Sequence, residues 1–279
     1  MKSILVATDF SNNAKNALKY ANAFAEATQH QLILMNVYMP SVGQYSPVHA
    51  IIAEETMNEK SRCHKQLKSL VAKFATVPTE DIVAEGEAIN EIIKTCKKSN
   101  ANFIIVGTHG ASEIKKVLVG SNTTKLIAKA EVPVLAIPEK YRFRKIETIL
   151  YATDLKNTLN ELKAIIPIAQ LLSAKIEILY LKYDWDKDAD RIADIEKKIK
   201  RLSFKNIHFV EQKASIEKTM THQLKNYITN TKPQLLAMFP SDKSWLDKQF
   251  NSSKTEELSY VLKLPLLSIR KKLIKPHSF

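Results

Sequence analysis

The segment Ile4-Leu5-Val6-Ala7-Thr8-Asp9-Phe10 returns as Ile149-Leu150-Tyr151-Ala152-Thr153-Asp154-Leu155, identical at five of seven positions. A second echo closes each half: Val132-Pro133-Val134-Leu135-Ala136-Ile137 is matched by Leu264-Pro265-Leu266-Leu267-Ser268-Ile269, an apolar run with proline in second place. Repetition at this spacing makes the chain a tandem of two related units, with the boundary between Pro138 and Ile146. Domains are expected at 1–140 and 146–279, and 279 residues suffice for two cores of ordinary size.

Working outward from the repeat, short β-branched runs alternate with longer stretches of helical period. In the first half the strands read near 3–8, 31–37, 81–85, 102–107 and 133–137, with helices near 12–28, 49–76, 88–99 and 120–130. Ala14, Ala17, Leu18, Ala21, Phe24 and Ala25 give the first helix an apolar face, and Ser11 is its expected N-cap. The second half repeats the order, with strands near 147–153, 175–181, 207–211, 234–238 and 265–269. Its helices read near 157–173, 188–202, 214–230 and 252–262. Mostly apolar strands joined by helical crossovers predict an α/β fold of two tandem doubly wound, mostly parallel sheets. Right-handed crossovers put all strand carboxyl ends on one rim, where a ligand would sit.

Composition excludes other classes. The chain is 45% hydrophobic and 25% charged, with no low-complexity tract that would argue disorder. Asp9 interrupts the opening apolar run, so no secretory leader is expected, and no stretch reaches the length of a membrane span. Cys63 and Cys96 show neither a CxxC pattern nor metal-ligand spacing. Buried helix cysteines, a reducing cytoplasm and no structural metal are the expectation. The net charge of +13 admits an anionic partner, yet the lysines are scattered and the one dense run is Arg270, Lys271, Lys272 and Lys275. A solvated basic surface is expected rather than nucleic-acid binding. The alternative is a basic tail after Ser268 that grips nucleic acid or membrane.

Three of the five glycines lie in one loop. The fourth strand of the first half runs into Gly107-Thr108-His109-Gly110, and Gly120 and Ser121 follow at a helix start. Glycine permits positive φ and lets backbone N–H groups approach an anion. At Gly120 and Ser121 the loop would deliver a phosphate to a helix N-terminus, with Asn122 and Thr123 adjoining. The spacing is neither a P-loop nor a dinucleotide fingerprint. His109 is expected to be a loop histidine without chemistry, since no Ser/His/Asp arrangement surrounds it. Lys115 and Lys116 in the spacer read as solvated charges. The segment Met39 to Ser46 reads as a loop able to fold over the site.

The pattern Gly-x2-Gly-x9-Gly-Ser after the fourth strand, with Ala7-Thr8-Asp9 ending the first, resembles the universal stress protein family. The resemblance covers residues 1–138 and 146–270 as a tandem member. It implies Rossmann-like sheets in the order 3-2-1-4-5 and ATP bound at the strand ends. It also implies roles: Asp9, after Ala7 and Thr8, near the ribose; Val37 in a backbone contact to adenine; Gly107 beside the ribose; Gly110, Gly120 and Ser121, with Asn122, in the phosphate cradle. The nucleotide could come with magnesium or manganese, no metal ligand is assigned, and the Asp9 carboxylate could either accept ribose hydroxyl bonds or help hold a metal. A helix cap is the alternative role for Asp9. Domains of the family pair through the last strand, which implies an intramolecular pseudo-dimer here and admits a homodimer.

The second half is expected to have lost this site. Alignment through Pro133 and Pro265 sets Phe239 opposite Gly107, Asp242 opposite Gly110 and Ser252-Ser253 opposite Gly120-Ser121, and no glycine follows Gly120. Lys182 stands where Val37 stood. Asp154 persists as a helix cap, while Ser252, Ser253 and Lys254 could still meet an anion. The resulting expectation is one adenine nucleotide per chain, bound for sensing or regulation in a stress response. Slow metal-assisted ATP hydrolysis is the enzymatic alternative, and no catalytic residue is assigned.

Overall fold

The computed structural model describes residues 2–39, 49–109, 120–240 and 263–273. The chain divides into two compact units, Met1–Phe143 and Arg144–Phe279. The first holds β1 (Ser3–Ala7), α1 (Asn12–Thr28), β2 (Gln31–Tyr38), α2 (His49–Phe74), β3 (Thr79–Glu85), α3 (Ala88–Lys98), β4 (Phe103–Gly107), α4 (Ser121–Lys129) and β5 (Val134–Ile137). Its strands run in the order β3-β2-β1-β4-β5, every described pairing parallel.

A strand buried on both faces must be apolar along its middle, and β1 and β4 are: Ile4, Leu5, Val6, Ile104 and Ile105 have at most 1% exposure. Helices α1 and α2 touch one another and the sheet, as do α3 and α4. Ser11 caps α1, its Oγ accepting from the Ala14 N–H at 3.1 Å. At the far end Gln29 turns left-handed at φ 56 and releases the chain into β2.

The second unit repeats the plan with β6 (Thr148–Ala152), α5 (Thr158–Leu172), β7 (Lys175–Lys182), α6 (Ala189–Arg201), β8 (Ile207–Lys213), α7 (Met220–Thr231), β9 (Leu235–Met238) and β10 (Leu266–Ser268). Its strand order is β8-β7-β6-β9-β10, again parallel. Helix α7 begins later than the 214–230 expected. Thr219 sets the start by accepting from the His222 N–H at 3.1 Å. Gln223 meanwhile holds Ser215 in a turn through both its amide atoms. The helix expected at 252–262, and with it Asp242, Ser252, Ser253 and Lys254, lies outside the described residues. Among the described residues no helix is long and apolar enough to cross a membrane.

Candidate functional site

At the carboxyl ends of β1, β2 and β4 the first unit encloses a cavity of about 320 Å³. Ala7, Thr8, Asp9, Val37, Gly107, Gly120, Ser121 and Asn122 all line it, so the structure brings together eight of the nine residues singled out from the sequence. Gly110, the ninth, lies outside the described residues, as do Lys115, Lys116 and residues 40–46 of the loop suggested as a lid.

The turn after β1 shapes one wall. Phe10 sits left-handed at φ 65, a conformation that costs a non-glycine residue about 1 kcal/mol and needs local support. Two side chains provide it: Thr8 Oγ1 accepts from the Phe10 N–H and Asp9 Oδ1 from the Ser11 N–H, both at 3.0 Å. Asp9 is therefore no helix cap, because Ser11 performs that task. Its carboxylate stands exposed at the cavity rim instead.

Gly107 owes its identity to crowding rather than to the positive φ expected for the loop. A Cβ at this position would meet Asn13 Cγ at 2.8 Å and both terminal atoms of its amide at 3.0 Å. Asn13, buried in the first turn of α1, donates to the His109 carbonyl at 3.1 Å and to Thr108 Oγ1 at 3.4 Å. It thereby pins the strand end that carries the glycine. Gly120, too, has an ordinary φ of −60 as N-cap of α4, and its N–H donates to the Thr108 carbonyl at 2.6 Å. Thr123 Oγ1 donates to the Gly107 carbonyl at 2.9 Å, tying α4 to the end of β4.

Polarity is divided across the cavity. Met35, Ile89, Ile92 and Leu126, all buried, make an apolar floor with half-buried Val37. Opposite lies the first turn of α4, whose N-cap Gly120 has no side chain to cap it, with Ser121 and Asn122 exposed. Opening-turn N–H groups lack acceptors inside their helix and carry the positive end of its dipole, so this wall suits an anion. Sequence reading missed the floor: Ile89 and Ile92 belong to the apolar stripe of α3 that also buries Cys96, a pattern shared by any core helix. His109, set aside as chemically idle, also lines the cavity, its Nδ1 2.9 Å from Thr108 Oγ1.

The second unit keeps the frame and sets a buried ring at the position of Gly107. Leu155 is left-handed at φ 64, Thr153 Oγ1 accepts from its N–H, and Asp154 Oδ1 accepts from the Lys156 N–H at 3.0 Å. Asp154 thus reproduces the turn made by Asp9 rather than capping α5. Strand registers, Val6 with Ile105 and Tyr151 with Ala237, set Phe239 in the place of Gly107. Phe239 is 6% exposed and packs edge-on against Tyr151, ring centroids 5.5 Å apart. Burial, with Glu161 alongside, pushes the Tyr151 phenol well above its ordinary pKa, and its hydroxyl donates to Glu161. Glu161 also meets Lys271 Nζ at 3.1 Å.

One alignment needs correction. Ala7 pairs with Met35 and Ala152 with Leu179, so Leu181 rather than Lys182 occupies the position of Val37. The second unit is one residue shorter between these strands: the left-handed caps are Gln29 and Ser173, while the first strands stand one residue further apart. Lys182 corresponds to Tyr38 and pairs with Glu211 at 2.9 Å.

Fold and cavity together define an α/β domain of the doubly wound class with an amphipathic ligand cleft at its strand ends. The sequence model of the universal stress protein family matches residues 1–138. The universal stress protein YxiE of Bacillus subtilis is 31% identical over 143 residues, spanning 48% of this chain and 97% of that protein. A universal stress protein of Methanocaldococcus jannaschii is 29% identical over 160 residues, half of this chain and 96% of its relative. The crystal structure of a universal stress protein from Archaeoglobus fulgidus superposes with a TM-score of 0.68 at 18% identity. It covers 95% of this chain and 97% of that one, and shows the fold. The chain belongs to the universal stress protein family.

Proposed function

We propose that the first unit binds one adenine nucleotide, ATP, and that the second binds none at the corresponding place. The observation that carries this reading is the divided cavity: an apolar floor able to receive a flat base, and a helix N-terminus opened by Gly120 that is able to receive phosphate, with Asp9 between the ends of β1 and α1 to accept ribose hydroxyls. Gly107 fits the same reading, since Asn13 already occupies the space behind it and any side chain there would intrude.

The proposed role is sensing or regulation through binding, in a reducing cytoplasm where Cys63 and Cys96 stay free. Turnover is not part of the proposal. Among the described residues Asp9 is the one carboxylate lining the cavity, and the reading rests on binding alone. Magnesium or manganese would enter with the triphosphate.

Calorimetric titration of the full chain with ATP tests the reading. One site per chain is expected, with Asp9→Ala weakening it about tenfold through loss of charged hydrogen bonds to the sugar. Absence of binding, or affinity indifferent to Asp9→Ala and to a bulky Val37→Trp together, would overturn it.

A further inference from the structure

The first unit has a second cavity, of about 360 Å³, on the other side of α1. Its walls share no residue with the nucleotide cleft. Asn12, Lys15, Asn16 and Lys19 contribute from α1, and Lys140 and Arg142 from the segment that follows β5. Four cations therefore face one small space against a single acid, Glu139.

Some lysines elsewhere in the molecule meet acids, as Lys94 meets Glu91, Lys175 meets Glu177 and Lys182 meets Glu211. Among the described residues none of the four cavity cations is ion-paired, although Glu139 lines the same space. Like charges gathered without counter-charges repel one another, so the arrangement is unfavourable until an anion enters. The first turn of α1 holds no acidic residue, and the positive end of its dipole adds to the same field.

The walls are held in place before any ligand arrives. Buried Asn16 donates through Nδ2 to the carbonyls of Pro138 at 3.0 Å and Tyr141 at 2.9 Å, and its Oδ1 accepts from Arg142. Tyr141 and Phe143 pack on the Tyr20 ring, with centroids 6.2 and 5.2 Å away. Lys19 Nζ sits 4.7 Å above the Phe74 ring. Preorganisation of this kind lowers the cost of capture. Nor does the scaffold impose the charge. In the second unit the first helix sends Glu161 to Lys271, just beyond the last strand, and the cation there is neutralised.

We propose that this cavity is a second anion site, for a free, compact polyanion carrying two or more phosphoryl groups, bridged between Lys15 and Lys19 on the helix and Lys140 and Arg142 across from it. A single phosphate would leave part of this charge unmatched. The site is independent of the nucleotide reading, because the two cavities have no wall residue in common.

Tripolyphosphate, which has neither base nor sugar, is the probe. Calorimetric titration of the full chain should show saturable binding that Lys15→Ala combined with Lys140→Ala weakens by about a hundredfold, roughly tenfold for each charge-assisted contact removed. ATP affinity of the same variant should stay within about twofold of the parent, and its thermal unfolding should report an intact fold. Lys197→Ala with Lys200→Ala, on the exposed face of α6, should change nothing. No binding by the parent, binding unaffected by the cavity pair, or equal loss in the α6 pair would each overturn the proposal. Loss of ATP binding alone would count against the nucleotide reading and leave this one standing.

Discussion

The two units share a strand order, a left-handed residue after the first strand and the same pair of side-chain-stabilised turns, yet they part company at the end of the fourth strand. In the first unit Gly107 lines the cleft, with Asn13 packed directly behind it. In the second, buried Phe239 stands at the equivalent position and packs against Tyr151, whose hydroxyl donates to buried Glu161, itself paired with half-buried Lys271. The turn bearing Asp9 and Asp154 is therefore part of the scaffold common to both units. What distinguishes them among the described residues is the side chain at one strand end. An acidic residue at the right place says little until the residue facing it across the sheet is known.

The most severe way to break the contrast is Gly107→Phe, which gives the first unit the second unit's residue. A ring there meets the Asn13 amide and fills the cleft, so ATP affinity should fall by on the order of a hundredfold and stability by about 1–3 kcal/mol from overpacking. Calorimetry and thermal unfolding read both effects. The converse change, Phe239→Ala, should cost the second unit about 3 kcal/mol as a buried ring is lost, measured by denaturant unfolding. It should create no ATP site, because Tyr151 and Glu161 remain; ATP binding at a second site would dissolve the contrast.

The smallest expected effect concerns acid. His30, just before β2, is 4% exposed and corresponds to Ala174 before β7. Its Nδ1–H donates to the Thr28 carbonyl at 2.8 Å, which leaves Nε2 unprotonated in the neutral ring. Burial holds its pKa below the ordinary histidine value; the Thr28 bond opposes this in part, and Lys2 reinforces it. The unfolded chain then takes up the proton first as pH drops below about 6.5, so this contribution is complete above that pH and is lost as pH falls toward the lowered folded-state pKa. Unfolding curves across that window should show the first unit losing stability as pH falls, and His30→Phe should flatten the dependence.

Much of this was legible in the sequence, for identifiable reasons. Strand runs such as Phe103–Val106 are apolar because both faces are covered, and the repeat Ile4–Phe10 fixed the tandem plan. The polar rim of the cleft could be read because its residues cluster at strand and helix ends. Its floor could not: Ile89 and Ile92 look like core residues, and they are core residues, with a cavity on one side. The basic cavity was invisible because Lys15 and Lys19 are far in sequence from Lys140 and Arg142. Lys182 was misplaced because a single missing residue shows only in strand register. Glycine at 107 was identified correctly, but the reason lay in a neighbour more than ninety residues away in the chain.

That neighbour constrains how the protein can change. With Asn13 in place, even a methyl group at position 107 requires something to shift. Residue 13 must shrink or turn before 107 can grow, so the two positions cannot be altered in either order with equal ease. A lineage leaving the glycine state has to pass first through a change on α1, and the second unit, whose α5 opens on the shorter Thr158, has the form expected at the end of such a path.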